Sequence, residues 1–238
     1  MPSVAVLGMN RFGEQVYNYL IEHEDTTVLG AFTEPSQYEC IEKLEPDFLV
    51  SAGFDHIIPP EVLQIPDSGA INLHPSYLPH NKGVNPDVWS IIEDRPAGVS
   101  IHYMTPEVDA GDLIARERVD VEPSDTGRSL RKRLDRRIVE LFEESWEDIY
   151  NETVQAEPQD YEKGNINTSD EFGAVCELNL SEEARIGDVI DTLRALTFPP
   201  YYNAYFEQDG ERYYVRVSIE PESEISTQDQ EWDTPTLF

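Results

Sequence analysis

Short apolar runs recur along the first 120 positions, separated by polar connections. Val4-Ala-Val-Leu7, Thr27-Val-Leu-Gly-Ala-Phe32, Asp47-Phe-Leu-Val-Ser-Ala52 and Ala70-Ile-Asn-Leu-His74 each have the length and apolar density of a strand buried on both faces. After the first of them, Gly8-Met-Asn-Arg-Phe-Gly13 leads into Val16, Tyr19 and Leu20 at helical spacing, which predicts a strand, a tight turn and a helix. Such repetition predicts a parallel α/β sheet. Val88 to Ile92 reads as helix, Gly98 to Tyr103 as an alternating strand and Leu113 to Val121 as a further strand. Ser124-Asp-Thr126 then opens a long helix with Leu130, Leu134, Ile138 and Leu141 on one face and Asp125 or Thr126 as its cap.

The pattern changes after position 150. Residues 151–175 are polar, with Pro158 and Gly164, and read as an extended link. An amphipathic helix follows over Ile186 to Leu196. Asn203-Ala-Tyr-Phe-Glu and Arg212-Tyr-Tyr-Val-Arg-Val then flank Asp209-Gly210, a two-residue hairpin signal. The expected organisation is a first unit over 1–150, a small helix and hairpin subdomain over 151–222 and an acidic tail over 223–238.

Charge narrows the function classes. Of 238 residues, 48 are Asp or Glu and 17 Lys or Arg, a net charge of −31. Such a surface repels phosphate backbones and anionic lipid, so neither nucleic acid nor a membrane is an expected partner. Only four of the basic residues are lysines (Lys43, Lys82, Lys132 and Lys163). An acid-rich, lysine-poor surface suits molar salt, where a Debye length of about 3 Å screens the self-repulsion. The expectation is a halophile's cytoplasmic protein. Consistent with this, the chain opens directly on a strand pattern without a charged leader, and Cys40 and Cys176 suggest neither a disulfide framework nor a zinc site. The one basic cluster, Arg128 to Arg137 on the long helix, reads as a solvated face paired with Glu140, Glu143 and Glu144.

Two segments could carry chemistry. Gly8-x-Asn-x-x-Gly13, with Glu34 ending the next strand, imitates a dinucleotide fingerprint, but Asn10 replaces the glycine that admits the pyrophosphate. The second is denser: Asn72-Leu-His-Pro-Ser-Tyr-Leu-Pro79, Lys82-Gly83, Ser100-Ile-His102 and Val108-Asp-Ala-Gly-Asp-Leu-Ile114. Strand alternation puts Asn72 and His74 on one face at a strand's carboxyl end, where open α/β sheets bind ligands. An Asn amide can hold a developing oxyanion, a His can move a proton near neutral pH, and an Asp can orient or charge the His.

This arrangement resembles the N10-formyltetrahydrofolate-dependent formyltransferase family, whose catalytic Asn, His and Asp match Asn72, His74 and Asp109. The resemblance implies a Rossmann-like, mostly parallel α/β sheet flanked by helices, with N10-formyltetrahydrofolate as co-substrate and no metal. It implies formyl transfer to an amine, with Asn72 and a protonated His74 stabilising the oxyanion, Asp109 raising the His74 pKa, and His102 in support. The folate pocket would be built from Phe54, Asp55, His56, Ile57 and Ile58 and from the segment holding Met104 and Glu107.

Within that family the acceptor is a methionyl-tRNA, glycinamide ribonucleotide or a nucleotide-linked amino sugar. The acidic C-terminal third argues against tRNA. Leu193 to Phe206 and Gly83 to Trp89 resemble the short enzymes acting on dTDP-linked amino-dideoxysugars, which implies a sugar-nucleotide partner and a homodimer. Candidate substrate contacts are Ser76, Lys82, Gly83 and Asn85, with Arg194 for phosphate and Tyr201 or Tyr202 for stacking on a base. Glycinamide ribonucleotide or methionyl-tRNA formylation and a non-catalytic folate- or sugar-nucleotide-binding protein of the same fold are the alternatives.

Overall fold

A computed structural model describes residues 1–225; the greater part of the expected acidic tail lies outside them. Six strands form the main sheet: β1 (Ser3–Leu7), β2 (Thr27–Phe32), β3 (Phe48–Ala52), β4 (Gly69–His74), β6 (Gly98–Tyr103) and β7 (Leu113–Arg118), in the order β2-β1-β3-β4-β6-β7. The first four pair in parallel, and β6 and β7 join antiparallel. The helices are α1 (Arg11–Glu22), α2 (Tyr38–Leu44), α3 (Pro60–Leu63), α4 (Pro86–Ile92), α5 (Gly127–Tyr150), α6 (Ser169–Cys176) and α7 (Ile186–Leu196). Two two-residue strands, β5 (Lys82–Gly83) and β8 (Ile166–Asn167), pair with each other, and β9 (Tyr205–Gln208) and β10 (Glu211–Tyr214) form the hairpin.

The apolar runs become strands because both sheet faces are covered: every residue of β3 is buried, and so are Val4 to Leu7 of β1. One face packs against α1 and α5 through Phe12, Leu20, Leu134, Phe142 and Trp146; the other is closed by α2 and α3 through Ile41 and Val62. Thr126 caps α5, its Oγ1 accepting the Ser129 N–H at 3.2 Å. The outer face of α5 is ion-paired: Arg137 meets Glu117, Glu140 and Glu144, and Arg133 meets Asp125. Asp209 (φ 55°) and Gly210 (φ 82°) both take the left-handed conformation that a two-residue hairpin turn needs. Among the described residues no helix is long and apolar enough to cross a membrane.

Residues 151–175 depart from the expected link. They carry β8 and most of α6, and Glu157 pairs with Leu113 through N–H···O bonds of 2.7 and 2.9 Å. Polar composition conceals this order, because much of the segment is held by backbone and amide hydrogen bonds, with Val154, Phe172 and Val175 the apolar residues that pack on the core.

Candidate active site

Both candidate residues of β4 sit at its carboxyl end, Asn72 and His74 alternating with the core residues Ile71 and Leu73. Antiparallel β6 places His102 opposite Asn72. Asp109 comes from the connection between β6 and β7, in a left-handed conformation (φ 48°) that Asp tolerates better than most residues. Asn81 and Asn85, at φ 55° and 52°, bring two more left-handed residues to the same region.

The side chains converge. Asn72 Nδ2 donates to Asp109 Oδ1 at 3.3 Å and lies 3.3 Å from His102 Nε2. His102 Nδ1 donates to the Tyr103 carbonyl at 2.8 Å, so its Nε2 is the acceptor for the Asn72 amide. His74 Nε2 is 3.6 Å from Asp109 Oδ2 and 3.2 Å from the Asn81 carbonyl. A carbonyl only accepts, so the Nε2 proton points there and the neutral ring keeps its lone pair on Nδ1. The Gly83 N–H donates to Asp109 Oδ2 at 2.8 Å.

Burial of Asp109 opposes its charge, but His74, His102 and the Gly83 N–H outweigh it and hold the carboxyl well below the usual carboxylate range. His74 goes the other way. Burial pushes its pKa down and outweighs the upward pull of Asp109.

These residues open on a cleft of about 450 Å³. Phe54, Asp55, His56, Ile57, Ile58, Met104 and Glu107 all line it, as do Gly83 and Asn85. The Phe54, Ile58 and Met104 side chains pack on the core cluster that contains Ile41 and Val62, giving the cleft an apolar wall, while His56 pairs with Glu34 at 3.8 Å. An apolar wall beside a few polar groups suits a flat heteroaromatic ring such as a pterin.

Five expected substrate contacts do not line the cleft. Ser76 is buried, and its Oγ has no hydrogen-bond partner among the described residues. Lys82 is buried in β5, and burial lowers its pKa against the pull of Asp109. Arg194 is spent internally on Asp191 and on the carbonyls of Glu122 and Asp125. Tyr202 already carries a cation on its ring, with the Arg216 guanidinium carbon 3.9 Å from the centroid, and Tyr201 is exposed outside the cleft. Residue type suggested these contacts, but their neighbours were invisible in the chain.

Other residues surfaced only in three dimensions. Arg131 lines the cleft, paired with Asp135 at 2.6 Å and with buried Asp87 at 3.7 Å. Its spacing of four from Gly127 and three from Leu134 puts it on the buried side of α5, a periodicity signal that could have separated it from the solvated arginines. The Gly8–Gly13 turn packs closely on β3, and its Asn10 and Phe12 also line the cleft. Asn10 Oδ1 caps α1 by accepting the Gly13 N–H at 3.0 Å, occupying the helix terminus that a pyrophosphate would need.

The chain belongs to the formyl transferase family, whose model matches residues 15–145. The model of the N-formyltransferase dimerization C-terminal domain matches residues 171–221. A dTDP-4-amino-4,6-dideoxyglucose formyltransferase of Mycobacterium tuberculosis is 35% identical over 153 residues, which is 64% of this chain and 65% of the relative's length. A 4-N formyltransferase from Francisella tularensis superposes with a TM-score of 0.84 at 27% identity, covering 92% of this chain and 98% of the other. A formyltransferase from Anoxybacillus kamchatkensis, solved with UDP-4,6-dideoxy-4-formamido-L-AltNAc and tetrahydrofolate, gives 0.64 at 31% identity over 71% of this chain and 87% of its own.

Proposed function

We propose that the protein transfers a formyl group from N10-formyltetrahydrofolate to the amine of a nucleotide-linked amino sugar. The observation that carries the reading is the convergence of Asn72, a neutral His74 and an anionic Asp109 at the mouth of one cleft. Sugar is favoured over glycinamide ribonucleotide because the C-terminal match and the three relatives are N-formyltransferases or sugar-nucleotide enzymes.

When bound, the folate supplies the electrophilic formyl carbon. Neutral His74 takes the proton that the attacking amine sheds, Asp109 stabilises the imidazolium so formed, and the imidazolium gives that proton to the departing folate nitrogen as its bond to the formyl carbon breaks. The Asn72 amide gives one hydrogen to the negative charge developing on the formyl oxygen. Both of its present contacts are long, at 3.3 Å, so exchanging one for a shorter charge-assisted bond favours that charge. Phe54, Ile57, Ile58 and Met104 hold the pterin, and Gly83 and Asn85 border the acceptor.

We assign the apolar surface of α7 and the hairpin to a second copy of the chain. Ile186 is 79% exposed, and Val189, Ile190, Tyr201, Tyr213 and Tyr214 are exposed with it, within the segment matched by the dimerization model. An acid-rich surface fits a cytoplasm at molar salt.

The test is mass spectrometry of products in molar KCl, with N10-formyltetrahydrofolate and a panel of dTDP- and UDP-linked 3-amino and 4-amino sugars plus glycinamide ribonucleotide. One added formyl group on a sugar nucleotide, absent with His74→Ala, supports the reading. Formylation of glycinamide ribonucleotide alone, or of nothing, overturns it.

A further inference from the structure

The polar segment that follows α5 reaches back more than forty residues to touch the active site. Gln159 is 5% exposed, and its single Nε2 donates both hydrogens, to the Asp109 carbonyl at 2.9 Å and the Gly111 carbonyl at 2.7 Å. Its Oε1 is buried with no hydrogen-bond partner among the described residues, so the side chain forgoes one favourable bond in this position. The loop it grips is closely packed at this point: a Cβ at Gly111 would lie 1.8 Å from the Tyr103 carbonyl. The Glu157–Leu113 pairing anchors the segment two residues upstream.

Further along, the same segment fixes the other side of the site. Asn165 Oδ1 accepts the Asn81 N–H at 2.8 Å, and the side-chain amides of Asn165 and Asn167 donate to Asn81 Oδ1 at 3.2 and 3.4 Å. Asn81 is fully buried and left-handed, and its carbonyl is the one that receives the His74 proton. Gly83, whose N–H holds Asp109 Oδ2, pairs with Asn167 so closely that a Cβ there would meet the Asn167 carbonyl at 2.3 Å.

We propose that residues 157–167 are the positioning strap of the active site, with Gln159 holding Asp109 in register with His74 and Asn72. Gln159 touches neither reacting atom; it acts by fixing the backbone from which the carboxylate projects. The inference rests on the formyl-transfer reading for its kinetic arm only.

Gln159→Glu keeps the shape and removes both donors. Expected in molar KCl is a loss of turnover of about ten- to hundredfold, the scale on which misplacement by an ångström is felt, with KM for folate and acceptor within about threefold. Turnover returns partly in the acid range, where the new carboxyl is protonated and donates one hydrogen again. The second arm needs no acceptor: in protein carrying ¹⁵N-labelled histidine, the His74 ring resonances and their titration shift toward lower pH as the Asp109 carboxylate withdraws, while those of His23 and His56 stay in place. Gln159→Met is read in the same way should the first variant not fold. Unchanged His74 resonances together with turnover within about threefold of the unaltered protein overturn the proposal. If the unaltered protein formylates nothing, the functional reading falls and the ring resonances alone decide the strap.

Discussion

The ends of β1 and β4 occupy equivalent places in the sheet, both at the carboxyl edge and both parallel to β3 between them, and both border the cleft, yet they spend their polar groups differently. At β1 the following turn spends its polar groups on itself: Asn10 caps α1, and Gly8 and Gly13 let the turn approach so closely that a Cβ on either would stand 2.7 or 2.3 Å from the Ala52 carbonyl. At β4 the polar groups point at each other across long contacts and at the cleft. Topology offers a strand end as a binding position; whether it becomes one depends on where the local hydrogen bonds are spent.

Asn72→Ala should break the comparison most visibly. Losing an oxyanion donor costs about 2.7–4 kcal/mol of barrier, a hundred- to thousandfold in turnover, and single-turnover kinetics should show it with the unfolding midpoint little changed. A loss below threefold at saturating folate would remove Asn72 from its role. Gly13→Ala acts on the other end: a methyl 2.3 Å from the Ala52 carbonyl forces α1 away from β3, at about 1–3 kcal/mol of stability by denaturant titration, while the folded fraction keeps its turnover. Asn10→Ala removes a cap worth about 1 kcal/mol and, although Asn10 borders the cleft, should lower turnover far less than Asn72→Ala. Catalytic loss on the scale of Asn72→Ala in either variant would mean that the β1 end is also a working site.

The smallest effects are slopes with pH. His74 has its folded pKa lowered from an ordinary value of 6.5, so the unfolded chain binds more protons there and stability falls as pH drops below about 6.5. Asp87 is the reverse: burial raises it from 3.8 to about 6 despite Arg131, so the folded state binds more protons and stability falls as pH rises through that window. In denaturant titrations between pH 4 and 7, Asp87→Asn should gain on the unaltered protein as pH rises, and an advantage that does not change with pH would rule out a charge effect.

The sheet was legible because its signal is local. Strand-length apolar runs and the 3.6-residue rhythm of α5 record their own burial, and Asn72, His74 and Asp109 lie in dense, specific motifs. The strap was not legible. Pro158, Gly164 and the asparagines have the composition of a linker, and their order comes from partners 84 residues away for Asn165 and about 50 for Gln159. For Arg194 and Tyr202 the side-chain chemistry was plain in the chain, whereas the two carbonyls on the guanidinium and the Arg216 cation over the ring were not.

The β5–β8 pairing also decides where this chain can be cut and joined. A boundary drawn by composition falls near Asn151, and a hybrid spliced there would give the catalytic half a foreign partner for Lys82 and Gly83. Acceptor preference and catalytic competence would then change together, and exchange of C-terminal units among relatives would read as loss of function. Moving the junction past Asn167 keeps the native ladder with the sheet it braces, so that swapped units can be compared by what they recognise.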